Sequence, residues 1–227
     1  MLIPKLILGA LFNLVVLSGL LFLPAWTVDW WRAWVFIGVF MFGMAVTALL
    51  LLRINKGLLE ERMKPLVQKG QPFADKIVVV VLLVGFVGLI AFIPIDVFWL
   101  QLLPKPNVLV SSAGMVLFVL GWCIMTVALL ENAFATSVVR YQEERQHKVI
   151  DSGLYGMVRH PMYAGAVPLL VGMPLWLESY AGAIFASVPF ATLVWRILIE
   201  ERFLRKELMG YDAYTARVRY RLIPFLW

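Results

Sequence analysis

An all-α, polytopic membrane fold is predicted by three observations: an apolar excess, four apolar runs of helix-spanning length, and a one-sided distribution of lysine and arginine. The 227 residues are 62% hydrophobic and only 15% charged, with a mean hydropathy of +0.87. A soluble domain of this size is close to half apolar and about a quarter charged, so the surplus apolar surface must face lipid. About 20 apolar residues cross about 30 Å of hydrocarbon as a helix. Runs at residues 3–24, 32–53, 76–95 and 107–131 meet that length. They are too long for barrel strands, and helices alone satisfy their own backbone in lipid.

The first run, Leu6 to Leu23, is long for a signal-peptide core and lacks a small-residue cleavage site, so it reads as a retained span. Trp26, Trp30, Trp31 and Trp34 mark one interface. A fifth apolar region, Tyr163 to Ile199, reads as a helical hairpin. Its first arm, 163–177, is short and carries Pro168 and Pro174, which are expected to kink or widen it and leave room for a ligand. Glu178-Ser179 breaks the hairpin before a fuller arm over 181–199. Asn55 to Ala74 and Glu200 to Tyr220 read as interfacial helices, the second broken near Gly210.

Of the 20 lysines and arginines, 18 fall at the N-terminus, in the 53–76 and 132–162 connections, or from Arg196 onward; only Arg32 and Lys105 lie on the other side. Cytosolic loops carry the cationic excess, which predicts cytosolic termini and connections. These charges sit between apolar runs rather than in one stripe, so anionic lipid headgroups, not nucleic acid, are the expected partner. The single Cys123 excludes an intramolecular disulfide and a cysteine-based metal cluster, and no metal site is expected. The first four spans hold no ladder of acidic and basic residues, which disfavours a transporter.

The chain divides into a transmembrane part, 1–138, and a chemistry-bearing part, 139–227. Both histidines fall in the window from Arg140 to Gly165. His160-Pro161 suits a helix start, whose free N–H groups attract an anion. Arg196 and Glu200 are spaced to share one face of the last long helix.

In order along the chain come Gly153-x-Tyr155, Arg159-His160-Pro161-x-Tyr163-x-Gly165, Glu200-Glu201-x-x-Leu204, Gly210-Tyr211-x-x-Tyr214, Arg217-Val218 and Ile223-Pro224-Phe225. This set, over residues 139–227, resembles the isoprenylcysteine carboxyl methyltransferase family, related to the membrane phospholipid methyltransferases. The resemblance implies an S-adenosyl-L-methionine-dependent methyltransferase with its cofactor at the cytosolic side and a lipophilic methyl acceptor entering from the bilayer. It implies cofactor contacts for His147, Lys148, Val149, Ile150, Tyr155, His160, Pro161, Met162, Tyr163 and Glu200. Gln142, with Arg140 competing, falls nearest a further cofactor-contacting glutamine. Arg196 matches the arginine assigned to the acceptor carboxylate.

A guanidinium cannot act as a base, so Arg196 is expected to orient an anionic acceptor by a bidentate contact. The acceptor's lipophilic part is expected to enter between the hairpin and the fourth span. A small thiol or a phospholipid amine remains as the acceptor, and a non-catalytic lipid-binding scaffold as the other class. A nicotinamide-dependent reductase is disfavoured by the lack of a glycine-rich phosphate loop.

Overall fold

A computed structural model of the chain describes residues 2–227. The described residues are helical and contain no strand. Helices α1 (Leu2–Ala25), α2 (Trp31–Ile54), α4 (Phe73–Ile95) and α5 (Val108–Glu131) realise the four predicted spans. Helix α4 ends in a π-helical turn, Asp96–Leu100. The hairpin is α6 (Pro161–Trp176), followed by a second arm made of α7 (Tyr180–Phe185) and α8 (Ser187–Glu207). Five helical segments are long and apolar enough to cross a membrane, with α6 as a shorter apolar helix.

The chain ends and connections sort to two poles. At one pole Leu51, Leu58, Leu59 and Leu129 cluster with Leu2, Leu6, Ala135 and Met162. The start of α1, the ends of α2 and α5 and the start of α6 therefore lie together, at the pole that carries the basic connections. At the other pole Arg32 pairs with Glu178 at 3.1 Å, and Ser179 Oγ donates to Asp96 at 2.6 Å. The Trp99 indole donates to the Pro24 carbonyl there at 2.7 Å. Helix α6 thus runs from one polar layer to the other despite its length, because its far end meets Arg32 through Trp176.

Both predicted interfacial helices are corrected. Only Lys56–Arg62 is helical in the first connection, forming α3, capped by Asn55 accepting from the Leu58 amide at 3.0 Å. Residues 200–207 instead extend α8, because Glu, Arg, Leu and Lys are strong helix formers. Gly210 then turns the chain at φ +86° into α9 (Tyr211–Arg217).

The prolines of α6 open no space. The helix runs through Pro168 and Pro174, and Pro174 is buried. Nor is there a passage between α5 and α6, where an acceptor was expected to enter. These helices run antiparallel with Gly121 opposite Gly165 and Gly114 opposite Gly172, and their backbones touch. Small residues at such a seam let two helices approach closely. The seam holds the first turn of α6 rigidly against the end of α5.

Candidate active site

The cleft lies at the basic pole, where the end of α5, the start of α6 and the lower half of α8 converge. It contains about 620 Å³ of atom-free space, including its mouth. Its wall brings together His147, Tyr155, His160, Met162, Tyr163, Arg196 and Glu200 from the sequence-predicted set. Asn132, Phe134, Arg140, Arg159 and Leu204 complete much of the rest.

Five predicted cofactor residues stand outside the wall. Gln142 is fully buried behind it, donating to the Phe134 carbonyl at 2.9 Å and accepting from Arg145 at 2.6 Å. It shapes the loop that carries Phe134. Lys148 is exposed, and Val149 packs against the cluster of Leu208, Tyr211, Tyr214 and Val218. Ile150 is half-buried, and Pro161 opens α6 as a buried first residue.

Two adjacent glutamates divide between two jobs, because successive helical residues point about 100° apart. Glu200 faces the cleft and accepts from the Tyr163 hydroxyl at 2.8 Å. Glu201 points away and clamps three elements. Arg159 Nε donates to it at 2.7 Å, Arg221 Nε at 3.1 Å, and His160 Nε2 lies 3.2 Å away. The Arg159 and His160 amides also donate to the Tyr220 and Arg221 carbonyls, each at 2.9 Å. The C-terminal segment is thereby stapled to the first turn of α6.

Below them, Gly153 takes φ +57° and lies against Glu131, whose carboxylate accepts from the Leu154 amide at 2.8 Å. A β-carbon at Gly153 would lie 2.6 Å from Glu131 Oε2, so glycine is required there on two counts. The turn sets Tyr155 in the wall, and its carbonyl accepts from Tyr214 at 2.8 Å. Burial pushes the Tyr155 hydroxyl pKa up, so it stays protonated.

Arg196 is held from behind. Its Nε donates to Asp75 Oδ1 at 3.2 Å and its Nη2 to the Ser137 carbonyl at 2.6 Å. Asp75 is fully buried in the first turn of α4 and also accepts from Gln71 at 2.7 Å and the Val139 amide at 3.0 Å. The expected bidentate edge of Arg196 is thus already engaged, and Nη1 has no partner among the described residues. Asp75 was not singled out in the sequence. The available signal was its being the one acid between Glu61 and Asp96, at the threshold of an apolar run.

His147 stacks between Phe134 and Tyr141, with ring centroids 4.5 and 5.9 Å away. Its Nδ1 is buried with no hydrogen-bond partner among the described residues. Burial first, then the nearby Arg145 and Arg140 charges, lowers its pKa from 6.5 to about 4. The folded state therefore resists a proton that the unfolded chain accepts, so stability falls as pH drops from about 6.5 towards 4. His147→Phe keeps the stacking and removes the proton site. Its melting temperature is expected to fall less than the parent's over that window in detergent melts; equal slopes would show that His147 does not contribute.

Residues 109–209 match the family model for phospholipid methyltransferase. Over 124 residues the chain is 31% identical to a probable protein-S-isoprenylcysteine O-methyltransferase of Oryza sativa subsp. japonica, covering 52% of this chain and 62% of the rice protein. It is 29% identical over 116 residues to protein-S-isoprenylcysteine O-methyltransferase B of Arabidopsis thaliana, covering 48% of this chain and 57% of that protein. A protein-S-isoprenylcysteine O-methyltransferase of Rattus norvegicus is 28% identical over 102 residues, or 44% of this chain and 34% of the rat protein. The chain thus spans less than two thirds of the length of these curated relatives. Over about half of its length, then, the chain is similar to protein-S-isoprenylcysteine O-methyltransferases, and the matched stretch contains α5 to α8 and most of the cleft wall.

Proposed function

We propose that this chain methylates a lipophilic carboxylate of the prenylcysteine type, using S-adenosylmethionine bound in the cleft at a cytosolic membrane face. The observation that carries this reading is the pairing of Glu200 and Arg196 one turn apart on α8, both facing one cleft at the basic pole. When bound, S-adenosylmethionine supplies a methyl on a sulfonium, which a carboxylate accepts without any proton transfer.

The residues present fit such a donor. Glu200 offers a carboxylate for ribose hydroxyls or the amine, and the orphaned His147 Nδ1 is a buried polar atom in want of a partner. Phe134, Tyr155 and Tyr163 give aromatic faces for packing and cation–π contact. The Met162 and Tyr163 amides open α6 without intrahelical acceptors, suiting a carboxylate. Arg196 guides the acceptor through its Nη1 corner. An amine acceptor would need a base and would gain nothing from Arg196, so the carboxylate reading is favoured over a phospholipid amine. The cytosolic placement rests on the basic pole and the positive-inside bias.

The test is methyl transfer from labelled S-adenosylmethionine by detergent-solubilised protein to farnesylcysteine, an alkyl thiol and phosphatidylethanolamine in parallel. Transfer to farnesylcysteine alone is expected. Glu200→Gln should weaken S-adenosylmethionine binding by roughly tenfold or more, the worth of a charge-assisted hydrogen bond. Arg196→Ala should depress kcat/KM for farnesylcysteine without opening transfer to the thiol or the amine. Turnover of another acceptor only, or Arg196→Ala and Arg196→Lys both matching the parent, would overturn the assignment.

A further inference from the structure

The charges around the cleft are arranged in two tiers. Three arginines line the wall: Arg140, Arg159 and Arg196. Each is paired with a carboxylate that does not line it. Arg140 meets Glu61 at 3.0 Å and Glu144 at 2.6 Å, Arg159 meets Glu201 at 2.7 Å, and Arg196 meets Asp75 at 3.2 Å. Glu200 is the one carboxylate in the wall itself. Each wall arginine is thus met by a carboxylate from behind, while the carboxylate of Glu200 faces the cleft itself. That arrangement suits a ligand bearing a positive charge, since three unpaired guanidinium groups would repel one.

Of the backing carboxylates, Asp75 is the one whose loss leaves least remedy. Glu144 is half-exposed and shares Arg140 with Glu61, and water reaches both. Asp75 is wholly buried, and Arg196 has no other carboxylate partner among the described residues. We infer that Asp75 is the counter-charge that lets this cleft hold a cationic donor beside Arg196, and that it biases binding towards the charged donor over its neutral product. The inference rests on the proposed use of S-adenosylmethionine and adds a residue 121 positions away from Arg196 in sequence. Asp75 does not touch the cleft. It acts through Arg196, as a positioning and charge-setting residue, and through the Val139 amide, which it fastens to the wall.

The readout separating this role from a merely structural one is the ratio of two affinities. S-adenosylmethionine carries a sulfonium; S-adenosylhomocysteine has the same groups around a neutral sulfur. Dissociation constants for both are measured by calorimetry on the full chain in detergent. Asp75→Asn keeps the side chain's size and one accepting oxygen but strands the Arg196 charge. It is expected to weaken S-adenosylmethionine by about tenfold and S-adenosylhomocysteine by less than about threefold. The double variant Asp75→Asn with Arg196→Gln removes both charges and is expected to restore S-adenosylmethionine affinity to within about threefold of the parent.

Equal weakening of the two ligands, or a double variant no better than Asp75→Asn, would overturn the inference. If Asp75→Asn does not fold, the neutral double variant still decides it. A double variant that folds and binds the two ligands in the parent's ratio supports the counter-charge; one that folds and binds neither overturns it. A parent that binds both ligands but methylates no acceptor defeats the proposed reaction and leaves this inference standing. A parent that binds neither defeats both.

Discussion

Glu201→Ala is expected to destabilise the protein by about 3–5 kcal/mol, because it strips the carboxylate from a buried cluster and leaves its cations uncompensated. Arg159 and His160 are buried, and both rely on Glu201 Oε1. Arg221 relies on Oε2 and also lies over the Trp227 ring at 5.2 Å. Losing this hub frees the C-terminal segment from the first turn of α6, where His160, Met162 and Tyr163 help line the cleft. Cofactor affinity should fall with stability, as one event. Glu200→Ala, one residue away, should do the reverse: a small change in melting temperature and a large loss of S-adenosylmethionine binding. Thermal melts and calorimetry on the two variants check both halves. A Glu201→Ala protein that melts like the parent, beside a Glu200→Ala protein that does not fold, would reverse the division of labour.

That division shows where a sequence informs and where it stops. The doublet Glu200-Glu201 is visible as a motif, but which carboxylate faces the ligand depends on the rotation of α8 against its neighbours. The spacing of Arg196 and Glu200 predicts a shared face, and both do line one cleft. The window from His147 to Tyr163 was also legible, since it held both histidines, a turn and a helix start. Within it, Lys148 is turned to the surface and Val149 is taken up by the cluster of Leu208, Tyr211, Tyr214 and Val218, a packing that only the folded C-terminal segment provides. Gln142 is a cofactor candidate through the resemblance alone, with Arg140 competing for the place; its amide is consumed by the Phe134 carbonyl and Arg145, while Arg140 lines the wall.

Asp75 lay beyond reach for a different reason. Its partners are Gln71 nearby, Val139 two spans later in the chain, and Arg196 on α8. Only the packing of α4 against α8 brings them together. An acid in a first helical turn is otherwise explained by the helix dipole alone. The membrane spans needed no such assembly: hydrophobicity over 20-odd residues is a local property. The basic pole was equally local, since each connection declares its own charge.

The α5–α6 seam supplies the other large effect. Gly114 and Gly121 are seven residues apart, as are Gly165 and Gly172, and that shared spacing in two apolar stretches was a readable sign of a close helix pair. A β-carbon on Gly121 would lie 2.8 Å from the Leu169 amide nitrogen, and one on Gly165 would lie 2.7 Å from the Gly121 carbonyl oxygen. Both obstacles are backbone, which cannot rotate away as a side chain does. Gly121→Ala should therefore cost about 1–3 kcal/mol by overpacking, although alanine favours a helix over glycine by about 0.5–1 kcal/mol. Gly38→Ala on α2 is the control, since nothing lies within 4 Å of the added carbon; there the propensity gain stands alone and the melting temperature should hold or rise.

The seam's effect should reach the cleft. Gly165 sits two residues after Tyr163 in the same helix, so parting the backbones tilts Tyr163 away from Glu200 and weakens S-adenosylmethionine binding together with stability. Gly121→Leu, which adds a branched side chain to the same gap, should prevent folding altogether. An alanine at 121 as harmless as one at 38 would mean that the helices stand further apart than their backbones now do, and the expected lateral entrance between them would be open after all.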